Sequence, residues 1–276
     1  QNPFIALARP HTTEQQGEVY AAALIYSGNF IAAAEVDAYD QTRLLMGIHD
    51  ENFNYTLKPG ESFFTPEVVL AYSGSGLTAL SQTYHQTYRH HLCRGKYKTA
   101  RRPVLLNNWE GTYFDFNGQK LIDMAKTASE LGVELFVMDD GWFGKRNDDN
   151  SGLGDWVVNE EKLGCTLKEL AAAINQTGLK FGIWFEPECI SEDSDLYRAH
   201  PDWAIQIPGR GPVRGRNQLI LDFSRAEVRD YIYNQMRAIL EGANIEYIKW
   251  DFNRNLTDVY SAALPPGRQG EVYHRF

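Results

Sequence analysis

The apolar positions of the first 75 residues fall into short runs with the near-alternation that β-strands show. Turn-forming stretches separate the runs, notably Ser-Gly-Asn at 27–29 and Lys-Pro-Gly-Glu at 58–61. We expect strands over residues 18–26, 30–37, 43–48, 53–57 and 62–72. Because Ser-Gly-Asn joins the first two of them so tightly, these two strands are predicted to pair as a hairpin. Residues 1–75 therefore predict an all-β domain.

The pattern changes near residue 76, where apolar positions start to recur at helical spacing. Leu77, Leu80, Tyr84 and Tyr88 fall roughly on one face of a helix predicted over residues 77–92. A run rich in Arg and Lys, residues 94–102, follows this helix. We therefore expect residues 76–102 to form a linker helix and connector between two domains.

From residue 103 onward, predicted strands and helices alternate. We expect strands over 103–109, 134–138, 180–185 and 247–250, helices over 119–131, 166–177 and 224–240, and a hairpin joining 203–207 to 213–222. Ser224 and Glu227 have the spacing of a capping box at the start of the last helix. Because such alternation indicates parallel βαβ units, residues 103–276 predict a barrel or a doubly wound sheet.

Composition narrows the class of protein. The chain of 276 residues carries a net charge of −9 at pH 7, which argues against nucleic acid or an anionic membrane surface as a partner. Its three cysteines are widely spaced, which argues against a disulfide framework and favours a cytoplasmic location. The most apolar stretch, residues 19–36, is interrupted at 27–29 and falls short of a membrane span. Because the chain begins with Gln1 and ends abruptly, we expect a piece of a longer protein.

Acidic and aromatic residues come together where four predicted parallel strands end. The sets are Trp109-Glu110, Asp139-Asp140-Gly141-Trp142, Trp184-Phe185-Glu186 and Trp250-Asp251. In a barrel the carboxyl ends of the strands form one rim, which is where barrel enzymes have their active sites. A single acid there could simply cap a helix, but four in succession beside aromatic rings favour a binding site. Carboxylates bind hydroxyls and flat rings cover the C–H face of a sugar, so the pattern indicates a carbohydrate site.

Asp251 is the candidate nucleophile among these acids. Retaining glycoside hydrolysis needs a carboxylate nucleophile and a second carboxylic acid about 5–5.5 Å away. Lys249 lies two residues before Asp251, on the same face of the strand, and its charge would keep the carboxylate ionised. The same spacing fits a purely structural ion pair, and spacing alone does not decide between the two interpretations.

Five segments of the second half carry a resemblance to a known family. They are Leu-Leu-Asn-Asn-Trp-Glu (105–110), Met-Asp-Asp-Gly-Trp-Phe-Gly (138–144), Arg-Asn-Asp-Asp-Asn-Ser-Gly-Leu-Gly-Asp-Trp (146–156), Gly-Ile-Trp-Phe-Glu-Pro-Glu (182–188) and Tyr-Ile-Lys-Trp-Asp-Phe-Asn-Arg (247–254). In residues, order and spacing these segments resemble glycoside hydrolase family 36, the bacterial α-galactosidases. Residues 1–94 resemble the end of that family's N-terminal β-sandwich and the joining helix. The resemblance implies an α/β fold, an incomplete (β/α)8 TIM barrel over 103–276, preceded by the C-terminal part of an antiparallel β-sandwich over 1–75.

The resemblance also implies which residues surround the reacting carbon. Asp251 would be the nucleophile that forms a covalent galactosyl-enzyme. Lys249 and Asn253 would bind ring hydroxyls near the nucleophile, and Arg216 would line the same pocket. These roles rest on the matching motifs and not on periodicity or composition.

Four further residues are implied to hold the sugar from other strand ends. Asp139 and Asp140 would bind the galactose hydroxyls around C4 and C6, which favours galactose over glucose. Trp184 would pack against the sugar, while Trp109 would shape the entrance or the leaving-group side.

The implied activity is that of a retaining α-galactosidase acting on raffinose- or melibiose-type oligosaccharides. The resemblance also implies that the full-length enzyme is a homo-oligomer. No metal or organic cofactor is implied, because two carboxyl groups suffice for the reaction. The family's acid/base Asp follows a Cys-Ser-Gly-Gly stretch, and neither occurs in this chain. Because leaving-group protonation contributes about 10²–10⁴-fold, we expect an incomplete enzyme. A galactosyl transferase of the same architecture and a truncated, non-catalytic galactoside-binding fragment remain alternatives.

Other motifs favour structural roles. Gly-Ser-Gly-Leu-Thr-Ala at 74–79 fits a dinucleotide-binding fingerprint, but no acidic residue follows about 20 positions on, so a helix-entry turn is favoured. His85, His90 and His91 lack a usable metal-ligand spacing. The Asp-Asp-Asn run at 148–150 lacks the spacing of a calcium-binding loop.

Overall fold

Antiparallel strands build the first of the two units into which the chain divides, Gln1–Arg102, and a parallel sheet lies in the second, Pro103–Phe276. The computed structural model describes residues 2–276. Within those residues, no helix has the length and apolar character needed to cross a membrane.

The first unit combines two small sheets with one helix. Its strands are β1 (Phe4–Ala8), β2 (Val19–Ile25), β3 (Phe30–Val36), β4 (Thr42–Ile48) and β5 (Glu67–Ser73). One antiparallel sheet has the order β1-β2-β5, and β3 pairs with β4 in another. Helix α1 (Gly76–Thr87) is followed by a π-helical turn (Tyr88–Leu92) and a 3-10 turn (Lys96–Lys98). Leu80 and Tyr84 of α1 pack with Val19, Ala21 and Ala23 in a small core.

The hairpin predicted around residues 27–29 is wrong, although both of its strands exist. β2 hydrogen-bonds to β1 along one edge and to β5 along the other, so it has no edge left for β3. The chain therefore leaves that sheet after Ile25 and starts a separate one with β4. The strand predicted over 53–57 is absent, and the strand predicted over 62–72 begins only at Glu67.

The second unit is an α/β arrangement around a four-stranded parallel sheet. Its strands are β6 (Leu105–Asn107), β7 (Leu135–Met138), β8 (Lys180–Phe185), β9 (Cys189–Ile190), β10 (Leu219–Ile220) and β11 (Tyr247–Trp250). Its helices are α2 (Trp109–Thr112), α3 (Gly118–Glu130), α4 (Glu160–Leu163), α5 (Leu167–Gln176), α6 (Asp195–Ala199), α7 (Ala226–Gly242) and α8 (Val272–Arg275), with 3-10 turns at Pro201–Trp203 and Pro266–Glu271. The parallel strands lie in the order β6-β7-β8-β11, so each neighbours its predecessor along the chain.

The long helices and the parallel sheet share one apolar core. Leu121 of α3, Leu170 of α5 and Val228 of α7 are fully buried with Phe136 of β7 and Phe181 of β8. Helix α5 starts at a complete capping box, in which Thr166 and Glu169 satisfy each other's backbone N–H groups. This core fixes the ends of the strands, where the polar residues lie.

Two predictions about the chain between β8 and β11 are wrong. Helix α7 begins one residue later than predicted, with Arg225 as its N-cap and no capping side chain, and the N–H and hydroxyl of Ser224 both donate to Asp222. The hairpin predicted between 203–207 and 213–222 is reduced to an isolated bridge between Ala204 and Leu221. β10 pairs instead with β9, directly after the end of β8.

Candidate active site

Polar side chains collect at the carboxyl edge of the parallel sheet. Asn107 ends β6, while Asp139, Glu186 and Asp251 come directly after β7, β8 and β11. Because these strands are parallel and paired in register, their ends lie at the same edge. Gly141 turns the chain away after the Asp139–Asp140 pair with a φ of +104°, a conformation that side chains with a Cβ rarely adopt.

The carboxylate of Asp251 is held by several donors while part of it stays open. Its Oδ2 accepts hydrogen bonds from Trp184 Nε1 at 3.0 Å and from Asn253 Nδ2 at 2.8 Å. Its Oδ1 accepts the backbone N–H of Phe252 at 3.1 Å. Its side chain is 29% exposed, so a ligand can reach the carboxylate.

These contacts set the ionisation of Asp251. Burial acts to raise the pKa of the Asp251 carboxyl, but the hydrogen bonds from Trp184 and Asn253, the charge of Lys249 and the Phe252 N–H outweigh burial. The net effect is a lowered pKa. Asp251 is therefore an anion at neutral pH.

Lys249 serves two carboxylates. Its Nζ donates to Asp139 Oδ2 at 2.8 Å and lies 4.0 Å from Asp251 Oδ2. Asp139 is almost fully buried and also accepts from the side chain of Asn107. The spacing left open whether Lys249 forms a structural ion pair or keeps Asp251 ionised, and the structure shows features of both. The close ion pair is with Asp139, and the charge of Lys249 still helps to lower the pKa of Asp251.

The carboxylate of Asp140 is occupied within the protein. Arg146 holds both of its oxygens, with Nε at 3.1 and 3.2 Å and Nη2 at 2.9 Å, and both side chains are buried. Burial raises the pKa of Asp140, and the hydrogen bonds and charge of Arg146 oppose that rise. In the sequence Arg146 was noted only as part of a motif. Its contact with Asp140 could not be predicted, because nothing in the spacing showed that the loop brings the two side chains together.

Arg216 belongs to the same chain of charges. Asp149 Oδ1 lies 3.7 Å from Arg146 Nη2 and 3.9 Å from Arg216 Nη2. Arg216 is half exposed and has a φ of +50°, a left-handed conformation uncommon outside glycine. The structure thus connects Arg216 to Asp140 through two intermediate residues.

The two tryptophans differ in what they expose. Trp184 is 1% exposed, and its ring packs among Phe143 and Trp156, so its faces are covered by protein. Little of this ring is therefore open to pack against a sugar, and the indole N–H donates to Asp251. Trp109 is partly exposed, packs edge-on against Tyr113 and Phe114, and is tied by its backbone N–H to Asn107.

Glu186 is a buried carboxylate to which sequence reasoning gave no individual role. It is 1% exposed and accepts hydrogen bonds from the backbone N–H and side-chain amide of Asn253 and from Gln218. Its position at a strand end was visible in the sequence, but its partners were not, since Gln218 and Asn253 come from distant segments. Asn253 therefore lies between the two carboxylates Glu186 and Asp251.

Metal binding is not suggested by the described residues. Within residues 2–276, no three His, Cys, Asp or Glu side chains form a group that could hold a metal ion. The cysteines Cys93, Cys165 and Cys189 are free thiols.

Comparison with known proteins relates the chain to α-galactosidases along its whole length. Residues 62–276 match the family model described as Melibiase, and residues 1–58 match that of the glycosyl hydrolase family 36 N-terminal domain. The chain is 54% identical over its full length to alpha-galactosidase AgaA of Geobacillus stearothermophilus and spans 38% of that protein. It is 57% identical, over 95% of its length, to the bifunctional alpha-galactosidase/sucrose kinase AgaSK of Mediterraneibacter gnavus and spans 28% of it.

Solved structures agree with these relatives. The crystal structure of the family 36 alpha-galactosidase AgaB from Geobacillus stearothermophilus superposes with a TM-score of 0.97 at 55% identity, covering all of this chain and 38% of the other. A variant of AgaA in complex with raffinose gives the same TM-score and coverage at 53% identity. The chain therefore belongs to the melibiase family, as a member of glycoside hydrolase family 36.

Proposed function

We propose that this chain supplies the nucleophile and most of the sugar-binding side chains of a retaining α-galactosidase. The observation that carries the proposal is the carboxylate of Asp251, which is ionised, partly open and held at the carboxyl edge of the parallel sheet. Membership of family 36 and the names of the relatives support the reaction class. Those relatives are longer than this chain, so the activity proposed is that of the whole protein.

In the proposed first step Asp251 attacks the anomeric carbon of an α-galactoside. Oδ2 accepts two hydrogen bonds, from Trp184 and Asn253, whereas Oδ1 accepts one, from the Phe252 N–H, so Oδ1 is proposed as the attacking oxygen. A C–O bond forms to the carboxylate as the bond to the leaving group breaks, a second carboxylic acid of the whole protein protonates the leaving oxygen, and a covalent galactosyl-enzyme ester results; that second group then takes the proton of the attacking water. Water then cleaves the ester and restores the Asp251 carboxylate, with retention at the anomeric carbon.

The sugar is proposed to lie over Lys249 and Asp139. These side chains form one ion pair and offer both a donor and an acceptor to vicinal hydroxyls. Asn253 lies within hydrogen-bond distance of the nucleophile, where it can also meet a ring hydroxyl. Trp109 offers the aromatic surface, and Trp184 acts through its N–H on Asp251.

Asp140 and Arg216 are proposed to shape the far side of the same pocket. Because Arg146 takes up both oxygens of Asp140, this acid stabilises the loop and offers a substrate only its remaining lone pairs. Arg216 is half exposed and faces the pocket's acidic loop through Asp149.

Raffinose-type oligosaccharides are the proposed substrates. The complex of an AgaA variant with raffinose supports this choice, because this chain matches that variant along the whole of its own 276 residues at 53% identity. Terminal α-galactosyl groups are the part of such substrates that the Asp139, Lys249 and Asp251 cluster would hold.

The architecture proposed around the site is the first part of a (β/α)8 barrel over residues 103–276. Four parallel strands neighbour one another in chain order, without the reversal that a doubly wound sheet requires. Residues 1–75 are proposed as the C-terminal part of a β-sandwich, and residues 76–102 as the linker. The match of residues 1–58 to the family's N-terminal domain supports the assignment of this range to the β-sandwich.

The test is the release of an activated phenol from an aryl α-galactoside by the whole protein and its Asp251→Ala variant. Because an activated phenol leaves with little protonation, the first step reports the nucleophile directly. We expect a burst of phenol that the substitution abolishes, together with a trapped galactosyl ester on the peptide that contains Asp251. A folded protein that releases no phenol, or a variant that keeps the burst, overturns the proposal.

A further inference from the structure

Glu186 is a buried carboxylate whose hydrogen bonds come from neutral donors. It receives the backbone N–H and Nδ2 of Asn253, Nε2 of Gln218 at 2.7 Å and the thiol of Cys189 at 3.4 Å. Within residues 2–276, no Lys, Arg or His nitrogen lies within ion-pair distance of it. A carboxylate placed in such a site needs every one of its donors, because an uncompensated buried charge is costly.

The donors of Glu186 come from three separate segments. Cys189 begins β9, Gln218 precedes β10, and Asn253 follows β11. Burial and the charge of Glu186 raise the pKa of the Cys189 thiol well above its usual value, so the thiol stays protonated and remains a donor. Glu186 therefore ties the β9–β10 pair to the end of β11.

Asn253 is the link between Glu186 and the nucleophile. Its Nδ2 donates to Glu186 Oε2 at 3.2 Å and to Asp251 Oδ2 at 2.8 Å. Only the amide nitrogen can face two carboxylates, because the amide oxygen would repel both. Glu186 thus anchors the Asn253 side chain at the place from which its Nδ2 donates to Asp251.

We propose that Glu186 is a positioning residue of the reaction, which acts by holding Asn253 in the orientation that donates to Asp251. The inference rests on the proposed α-galactosidase activity and names a residue of the same site that touches neither the sugar nor the reacting carbon. With Gln at position 186, an amide would meet donors from Asn253 and Gln218. Asn253 would then lose the acceptor that holds its side chain on the far side, could rotate away from Asp251, and the nucleophile would lose a hydrogen bond.

The test compares Glu186→Gln, Asn253→Ala and the double variant in the whole protein, with an activated aryl α-galactoside as the probe. We expect Glu186→Gln to lower the rate constant of the phenol burst about 10- to 100-fold, the size expected for a hydrogen bond to a charged group. KM should change less than the burst rate constant, since Glu186 does not touch the substrate and can affect its binding only through Asn253. In the Asn253→Ala background the same substitution should have little further effect, because the residue through which it acts is gone.

Asp222→Asn is the matched control. Asp222 is equally buried and accepts hydrogen bonds from Ser224 and Ser261, neither of which is a partner of Asp251. Asp222→Asn should lower Tm as Glu186→Gln does but leave the rate constant of the phenol burst unchanged. Equal losses of rate in both variants, or a Glu186→Gln effect that is undiminished in the Asn253→Ala background, would overturn the inference.

If Glu186→Gln fails to fold, the variant Glu186→Asp, which has a shorter acidic side chain, provides the test. Glu186→Asp keeps the buried charge but draws it back from Asn253, so it should slow the burst while Tm stays closer to the parent. Full burst activity in Glu186→Asp contradicts the inference. Absence of any burst in the unsubstituted, folded protein would instead overturn the proposed activity and not the position of Glu186.

Discussion

The ionisation of Asp251 depends on neutral donors as well as on charge. Because the pKa of Asp251 is lowered in the folded protein, its ionised form is present at neutral pH and is lost as pH falls through that lowered pKa. The stability that its hydrogen bonds contribute is lost in the same range, since they favour the anion. The acid limb of the pH profile for kcat/KM should therefore report Asp251.

Trp184→Phe is expected to move that acid limb to higher pH. The substitution keeps an aromatic ring in the core and removes the indole N–H that donates to Asp251 Oδ2, so one cause of the lowered pKa is gone. At neutral pH kcat/KM should fall about tenfold, as expected for one lost hydrogen bond to an anion. The measurement is the pH dependence of kcat/KM on an aryl α-galactoside.

Trp156→Phe is the matched control for that experiment. Trp156 is equally buried in the same aromatic cluster, but its Nε1 has no hydrogen-bond partner among residues 2–276. The two variants should lower Tm by similar amounts, and only Trp184→Phe should shift the acid limb. A shift of equal size in both would show that packing of the cluster, and not the indole donor, sets the pKa of Asp251.

At individual positions, the sequence located the acids but not their partners. Asp139, Glu186 and Asp251 lie at strand ends as the pattern of apolar runs predicted. Neither the pairing of Asp140 with Arg146 nor the contact of Glu186 with Asn253 could be predicted, because each depends on how loops and separate strands approach in space.

At the scale of elements, local sequence patterns predicted individual strands and helices correctly but failed where the outcome depended on other segments of the chain. The strand over 180–185 and the helix that follows Thr166 lie where the pattern placed them. The pairing of β2 with β3 failed because both edges of β2 were already taken. The capping box predicted at Ser224 is absent because α7 begins one residue later, with Arg225 at the N-cap position.

Thr166→Ala is expected to destabilise the protein through the start of α5. Thr166 Oγ1 accepts from the Glu169 N–H at 3.2 Å, and Glu169 accepts from the Thr166 N–H at 2.9 Å, so both halves of the capping box weaken. The loss should be about 1 kcal/mol in the free energy of unfolding, measured by urea denaturation.

The control for this prediction is the same change in the middle of a helix. Thr127 lies exposed on α3, where its hydroxyl donates to the carbonyl of Asp123. Thr127→Ala should stay within about 0.5 kcal/mol of the parent, because such back-bonding contributes little and Ala favours helix. If both substitutions cost the same, the capping box does not stabilise α5.

At the scale of the whole molecule, the division into two units predicts where a protease cuts first. Five basic residues lie in the mostly exposed connector that ends the first unit, directly before Pro103, and the structured part of this connector is a single 3-10 turn, Lys96–Lys98. They are Arg94, Lys96, Lys98, Arg101 and Arg102. Because cleavage requires local opening, brief native digestion with trypsin should cut here before it cuts the strands and helices on either side. Mass spectrometry of the first products should therefore find new ends within 94–102.

The loop around Arg210 is the competing site, since it is exposed and lies outside the helices and strands of the second unit. A variant with Gln in place of all five connector residues should lose the first products and keep the later cut at Arg210. First cuts at Arg210 in the parent protein would show that the connector is the better protected segment, and that the two units do not separate at residue 102. Cuts within 94–102 that leave the second unit resistant would support the connector as the boundary between two independently folded parts.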